Sequence, residues 1–275
     1  MTLTLPNRDR IVAGSGGYGL LMVELGDAFG AVLRAALAAH TGIGPRPTVA
    51  GRLPRPVIEV IERDDGFVGT TPGEQYLPSG HWWDCERRGA DRVRGRVLDV
   101  GCGAGRVALA LQDKGLAVTG LDTSRGAIDV ATHLGVRDVV RSTVDEHARS
   151  GERYDSFVLF GNNAGLLEGR ERAPRFLAAL AALARPGATA YVQGTDPYHT
   201  TDEVHLAYQE RNRTLGRMGG QLRLRIRYRE LSTDWFDYLL CSPAELAELV
   251  AGTPWRLSDV DSGESPVFLA TLRLR

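Results

Sequence analysis

The sequence predicts an α/β fold: a mostly parallel sheet with helices packed on both faces. Three observations carry this. From Arg96 onward, apolar strand-length runs alternate with amphipathic helix-length segments. A glycine-rich turn, within VLDVGCGAGR (Val97 to Arg106), follows the first of these strands, and the helices after it carry their own start and stop residues. Right-handed crossovers then put the strand C-terminal ends, and any ligand, on one edge.

Taken in order, Gly16 to His40 has apolar residues at helical spacing, with Gly26 and Gly30 leaving one helix or two shorter ones open. Thr41 to Pro56, rich in Pro and Gly, predicts a linker or exposed loop. VIEVIERDDG predicts a strand ending in a turn, and GEQYLPSGHWWD (Gly73 to Asp84) a loop. RVLDVG is a strand, RVALALQDKG a helix closed by Gly115, LAVTGLD a strand, and SRGAIDVATHLG a helix between an N-cap at Ser124 and a stop at Gly135. VRDVVRSTV, YDSFVLFG, the helix RAPRFLAALAALARPG and ATAYVQGTD continue the alternation. After Asp196 the rhythm breaks: DEVHLAYQERNRTLG reads as a helix, and QLRLRIRYREL with DWFDYLL as a hairpin over the sheet edge. SPAELAELVAG is a helix with Ser242 and Glu245 as a capping box, and WRLSDVDSGESPVFLATLRLR closes the chain as two strands. This divides the chain into residues 1–95, an N-terminal helical segment with a linker and a loop, and 96–275, a ligand-binding domain with a lid insertion at about 197–240.

Composition narrows the function classes. The 33 basic and 34 acidic residues leave a net charge of -1, so no global field favours nucleic acid or an anionic membrane, and a small-molecule or polypeptide partner is expected. Cys85, Cys102 and Cys241 are odd in number and lack a C-x-x-C pair, which suggests neither a disulfide framework nor a metal site. The N-terminus lacks a basic segment leading into an apolar run. A cytoplasmic protein is the expectation, with monomer and homodimer both open.

The glycines Gly101, Gly103 and Gly105 stand where missing side chains let backbone approach a ligand. A dinucleotide fingerprint wants a small residue where Arg106 stands, and the P-loop's Gly-Lys-Ser/Thr is absent. The discriminating residue is Asp99. A carboxylate there repels a pyrophosphate but suits the ammonium of an amino acid, directly or through water. Asp122, ending the second strand, stands where an acidic side chain accepts hydrogen bonds from ribose hydroxyls. An amino acid at one end and a ribose at the other describe S-adenosylmethionine (SAM).

At this point the sequence resembles the class I SAM-dependent methyltransferases, on VLDVGCGAGR above all and over roughly Arg96 to Asp196. The resemblance implies a Rossmann-like, seven-stranded, mostly parallel sheet, SAM as cofactor and S-adenosylhomocysteine (SAH) as product. It implies that Gly101 and Gly103 line the methionine part, Asp122 the ribose, and Thr143 to Asp145, Val144 included, the adenine, with Thr123 also against the cofactor. Cys102 is grouped with these residues, although its small side chain reads as packing. The Gly161-Asn162 pair is similar to the step in glycine N-methyltransferase-like enzymes where the Asn faces the acceptor, and Asn163 adds further uncharged donors and acceptors. N-P-P-Y, typical of methyltransferases acting on base amines, is missing.

Related enzymes fold a segment over the cofactor where this chain has Tyr76, His81, Trp82 and Trp83, so Tyr76 is expected against the cofactor and Trp82 and Trp83 against the substrate, with core packing as the alternative. His199 is the candidate general base, since its ordinary pKa lies near neutrality, and Tyr198 is an equal competitor. Arg223, Arg225, Arg227 and Arg229 alternate with Leu222, Leu224, Ile226 and Tyr228, which reads as a solvated strand face or as recognition of an anionic acceptor. Trp235, Phe236 and Tyr238 line an acceptor pocket or form the hairpin's core. The expected function is methyl transfer from SAM to an N or O nucleophile of a small molecule, in bacterial secondary or small-molecule metabolism. A peptide or protein methyltransferase and a non-catalytic SAM-binding regulator remain the alternatives.

Overall fold

The computed structural model describes residues 24–41, 56–263 and 265–275, so the expectations for Gly16 to Val23 and for 42–55 lie outside the described residues. Helix α1 (Ala28–Thr41) comes first, then strands β1 (Ile58–Arg63) and β2 (Val68–Pro72) and helix α2 (Asp84–Arg92). The alternating part follows: β3 (Arg96–Val100), α3 (Arg106–Asp113), β4 (Ala117–Asp122), α4 (Arg125–Leu134), β5 (Asp138–Arg141), α5 (Val144–His147), β6 (Tyr154–Leu159), α6 (Ala173–Ala182) and β7 (Ala184–Thr195). Then come α7 (Glu203–Thr214), β8 (Gln221–Tyr228), β9 (Leu231–Ser232), β10 (Phe236–Leu239), α8 (Pro243–Val250), β11 (Trp255–Ser262) and β12 (Val267–Leu274).

The expected seven-stranded sheet is present, in the order β11-β12-β7-β6-β3-β4-β5. Only β12 runs against its neighbours. Residue alternation puts the two faces of each central strand in different cores: Leu98, Phe157 and Leu159 pack with Trp255 on one side, Val97 and Val158 with Leu111 on the other. The chain runs outward from β3 to β5 and then crosses to β6, so the strand order reverses between β3 and β6. A crevice opens at such a switch point, outside the carboxyl ends of the strands.

Where the sequence raised doubt about Gly30, the structure supplies its reason. A Cβ on Gly126 of α4 would lie 2.4 Å from the Gly30 Cα, so the two helices meet backbone against backbone. Asp27 fixes the contact: its carboxylate accepts from the Gly30 N–H (3.0 Å), the Ser124 hydroxyl (2.7 Å) and the Gly126 N–H (2.8 Å). Helix α1 thereby buries Val32, Leu33 and Ala36 against Ala127, Val130 and Ala104 of the glycine turn.

The insertion differs from the hairpin expected of it. β10 and β8 pair as foreseen, but β1 lies alongside β8 and β2 alongside β1, giving an antiparallel sheet β10-β8-β1-β2 with β9 on β8. Complementary patterning explains the pairing. Register puts Ile61 opposite Ile226 on the inner face and Glu62 opposite Arg225 on the outer, where Arg225 (2.9 Å) and Arg227 (3.3 Å) both hold Glu62. Among the described residues, no helix is long and apolar enough to cross a membrane.

Candidate active site

The crevice is a cavity of about 1050 Å³, floored by the glycine turn and the ends of β4 and β6 and roofed by the antiparallel sheet. In the floor, Gly101, Gly103 and Gly105 take φ of +71°, +53° and +83°, a region side chains rarely enter. The N–H groups of Gly101 (2.8 Å) and Cys102 (3.0 Å) both donate to the Leu121 carbonyl, folding the turn back over β4. The Gly103 N–H donates to one oxygen of Asp122 and the Ser124 N–H to the other, each at 2.9 Å. Asp122 is thus aimed before any ligand arrives, and each oxygen keeps a lone pair for a hydroxyl. Burial pushes its carboxyl above the ordinary value.

Asp99 lies under the turn, 2% exposed and off the cavity wall, so no direct contact with a ligand's ammonium is presented. Burial pushes its carboxyl up to about 7, against the pull of the Arg106 guanidinium. One of its oxygens has no partner. Helix α2, which the apolar pattern did not disclose, brings in Glu86. This fully buried carboxylate accepts from the Trp83 N–H (3.0 Å), the Gly161 N–H (2.8 Å) and Arg106 (3.2 Å). It ties the segment leading out of the roof to the end of β6.

At the acceptor end, Asn162 holds a left-handed φ of 68°, with its N–H on the Gln193 side chain and its carbonyl accepting the Tyr238 hydroxyl (2.6 Å). Asn163 turns inward and donates to the carbonyls of Val100 (2.9 Å) and Gly101 (3.0 Å), bracing the glycine turn. Tyr76 donates to Glu59 of β1 at 2.5 Å, and its ring meets that of Phe29 edge-on.

A family model described as "Methyltransferase domain" matches residues 85–246. The chain belongs to that family, within the class I SAM-dependent methyltransferase superfamily. Among curated relatives of this methyltransferase, the ubiquinone biosynthesis O-methyltransferase of Escherichia coli O6:H1 is 37% identical over 101 residues, covering 28% of this chain and 42% of that protein. The protein of the same name from Klebsiella pneumoniae (strain 342) is 36% identical over the same length and shares. The match therefore spans less than half the length of these relatives. A SAM-dependent methyltransferase from Bacteroides fragilis, solved with SAH, superposes with a TM-score of 0.73 at 22% identity, covering 90% of this chain and 95% of that one. One from Methanosarcina mazei gives 0.51 at 17% identity, covering 65% and 92%. These two likenesses concern the fold.

The methyltransferase cavity brings together twelve of the residues singled out from sequence: Gly101, Asp122, Thr123, Thr143, Val144, Gly161, Asn162 and Tyr76, with Trp83, Asn163, Trp235 and Tyr238. Thr143 also caps α5, accepting from the Glu146 N–H at 3.2 Å. Gly103 acts through its bond to Asp122, and Cys102 packs beneath the turn with its thiol pushed up by burial. Trp82 stands behind the cavity, where the Arg106 guanidinium covers its ring at 4.4 Å. Neither His199 nor Tyr198 reaches the wall. Asp196 caps the short turn at Pro197–His199 and directs it outward, so Tyr198 bonds Glu245 (2.6 Å) and His199 faces solvent beside Asp196. Neither group stands where the general base expected of it would meet an acceptor in the cavity.

Three residues that sequence reasoning passed over shape the methyltransferase site: Asp27, Glu59 and Glu86. Asp27 was legible as an N-cap three residues before Gly30. Glu86 stands three residues after Trp83, as an N-terminal helix acid does, but α2 has no apolar stripe to announce it. Nothing local marks Glu59, one of two acids in the strand IEVIER and the one on its inner face beside Ile61.

Proposed function

We propose that this chain transfers a methyl group from SAM to a small-molecule acceptor carrying an N or O nucleophile. One observation carries the reading: a single cavity joins a glycine cradle with a pre-aimed carboxylate at one end to a roofed aromatic chamber at the other. Its volume of about 1050 Å³ slightly exceeds the range of roughly 300–1,000 Å³ for one drug-sized ligand, which suits a cofactor with a small acceptor beside it. The roof leaves a folded protein acceptor poorly accommodated, and a regulator that only senses SAM has no need of the second chamber. The ubiquinone-biosynthesis relatives support a small-molecule acceptor over their shared segment.

The chain's residues fit the cofactor. Backbone at Gly101 to Gly103 admits the amino-acid end closely, and Asp122 is free to accept from ribose hydroxyls. When bound, SAM supplies a methyl carbon on a sulfonium, a good leaving group. The protein's share is position and dryness, which for well-oriented groups is worth up to roughly 7–11 kcal/mol. Phe29, Tyr76 and Trp83 cover the chamber against water, while the Tyr238 bond to the Asn162 carbonyl holds roof to floor.

The test begins with SAH binding by calorimetry. Wild-type protein binds, and Asp122→Ala lowers affinity at least ten-fold with the circular dichroism spectrum unchanged. Labelled SAM in a host extract then marks a product of low mass. Absence of SAH binding by the wild type would sink the reading.

A further inference from the structure

We infer that the methyl acceptor is an amine, seated under the roof against Glu59, and that this carboxylate takes the amine's proton. The inference rests on the methyl-transfer reading of the cavity and names its substrate class.

Four arginines line the cavity, and each is already held by a carboxylate: Arg106 by Glu86 (3.2 Å), Arg141 by Glu24 (2.7 Å), Arg172 by Glu168 (3.2 Å) and Arg175 by Asp145 (3.2 Å). The arginine stripe of β8 lies on the roof's other face, where Arg225 and Arg227 hold Glu62. Among the described residues, an anionic acceptor therefore finds no unengaged guanidinium in the wall. Glu59 is the reverse case. It lines the cavity, is 1% exposed, and forms no ion pair among the described residues. Its bonded partner is the neutral Tyr76 hydroxyl, and its charge is felt in turn by the buried Tyr238 hydroxyl, which it helps to hold neutral.

A buried carboxylate facing only neutral donors is costly. An ammonium group is the ligand that relieves the cost. At 1% exposure Glu59 has room to meet one such group rather than a broad cationic surface. A hydroxyl acceptor adds one more neutral donor and leaves the charge uncompensated.

Burial also readies the pair for proton transfer. It raises the Glu59 carboxyl, and it disfavours the charged form of an amine held beside it, so both groups move toward neutrality together. One N–H bond breaks and its proton goes to a Glu59 oxygen. The nitrogen's electron pair forms the bond to the methyl carbon, whose bond to sulfur departs with its pair on sulfur. Positive charge passes from sulfur to nitrogen, and Glu59 later returns its proton to water.

The experiment uses the full chain saturated with SAH and two probes of matched shape, 2-phenylethylamine and 2-phenylethanol, titrated by calorimetry. The wild type is expected to prefer the amine at least ten-fold. Glu59→Gln reduces the preference below two-fold with SAH affinity unchanged, and Tyr76→Phe, which keeps the carboxylate, retains it. No amine preference in the wild type, or a preference surviving Glu59→Gln, overturns the inference. Should Glu59→Gln not fold, infrared difference spectra of the wild type with labelled glutamate decide. A carboxyl band that changes with the amine and not with the alcohol supports the inference, and matching spectra overturn it. Failure of the wild type to bind SAH is a different result, which removes the methyl-transfer reading itself.

Discussion

Floor and roof of the cavity are built by different means. The floor's turn is held through its own N–H groups: those of Gly101 and Cys102 bond the Leu121 carbonyl, and that of Gly103 the Asp122 carboxylate, 19 residues away. The strands of the roof pair by backbone, and side chains add ties between segments far apart in the chain: Arg225 reaches Glu62 over 163 residues, and Tyr238 reaches the Asn162 carbonyl over 76. Backbone bonds constrain which positions are glycine and leave other side chains free to vary. Side-chain bonds make the roof's chemistry depend on each residue. A cofactor end of fixed geometry and an acceptor end that substitution retunes follow from that division.

Glu86 is the seam between the two, and its loss has the largest expected effect. Glu86→Ala leaves the mostly buried Arg106 guanidinium (side chain 11% exposed) without a partner and removes the acceptor for the Gly161 N–H. Breaking a buried pair from one side costs about 3–5 kcal/mol. Chemical denaturation should show that loss. A loss below about 1 kcal/mol would show floor and roof to be independent.

The next effect sharpens the floor alone. The Asp99 carboxyl, pushed up to about 7, favours its neutral form in the folded state. Its contribution is therefore full below the unfolded carboxylate range near pH 4 and is lost as pH rises through about 7. Asp99→Asn, permanently neutral, should flatten this part of the stability profile and exceed the wild type at pH 8 by about 1–3 kcal/mol. Denaturation at pH 5 and pH 8 checks it. An equal pH slope in both proteins removes Asp99 as the cause.

The same division explains what was legible in the chain. β3, the glycine turn, β4 and Asp122 are consecutive, so periodicity and spacing disclose the cofactor end with its order of residues. The alternation of β8 disclosed a strand with two unlike faces, but not that β1, far upstream, would cover its flank. That pairing is a long-range match of Ile61 to Ile226 and Glu62 to Arg225, which no local window contains. His199 was misplaced for a related reason. Its position after the fifth parallel strand puts it at the ligand edge, but the direction of the turn is set by Asp196 and by the Tyr198 bond to Glu245 on α8.

The smallest effect tests the roof's outer face. Arg225 and Arg227 share Glu62, holding its carboxyl below the usual range, with side chains 31% and 51% exposed. Exposed pairs contribute about 0–1 kcal/mol, because water screens the charges and ordering long side chains costs entropy. Arg227→Ala should leave the denaturation midpoint nearly unmoved and SAH affinity unchanged. The neutral probe 2-phenylethanol should bind as before, since this guanidinium faces away from the chamber. A ten-fold change in binding of an anionic analogue, 3-phenylpropionate, would instead put the stripe in acceptor recognition. The two faces of β8 would then have exchanged the roles that their register with β1 gives them, with Glu62 and Ile61 pointing to opposite sides of the sheet.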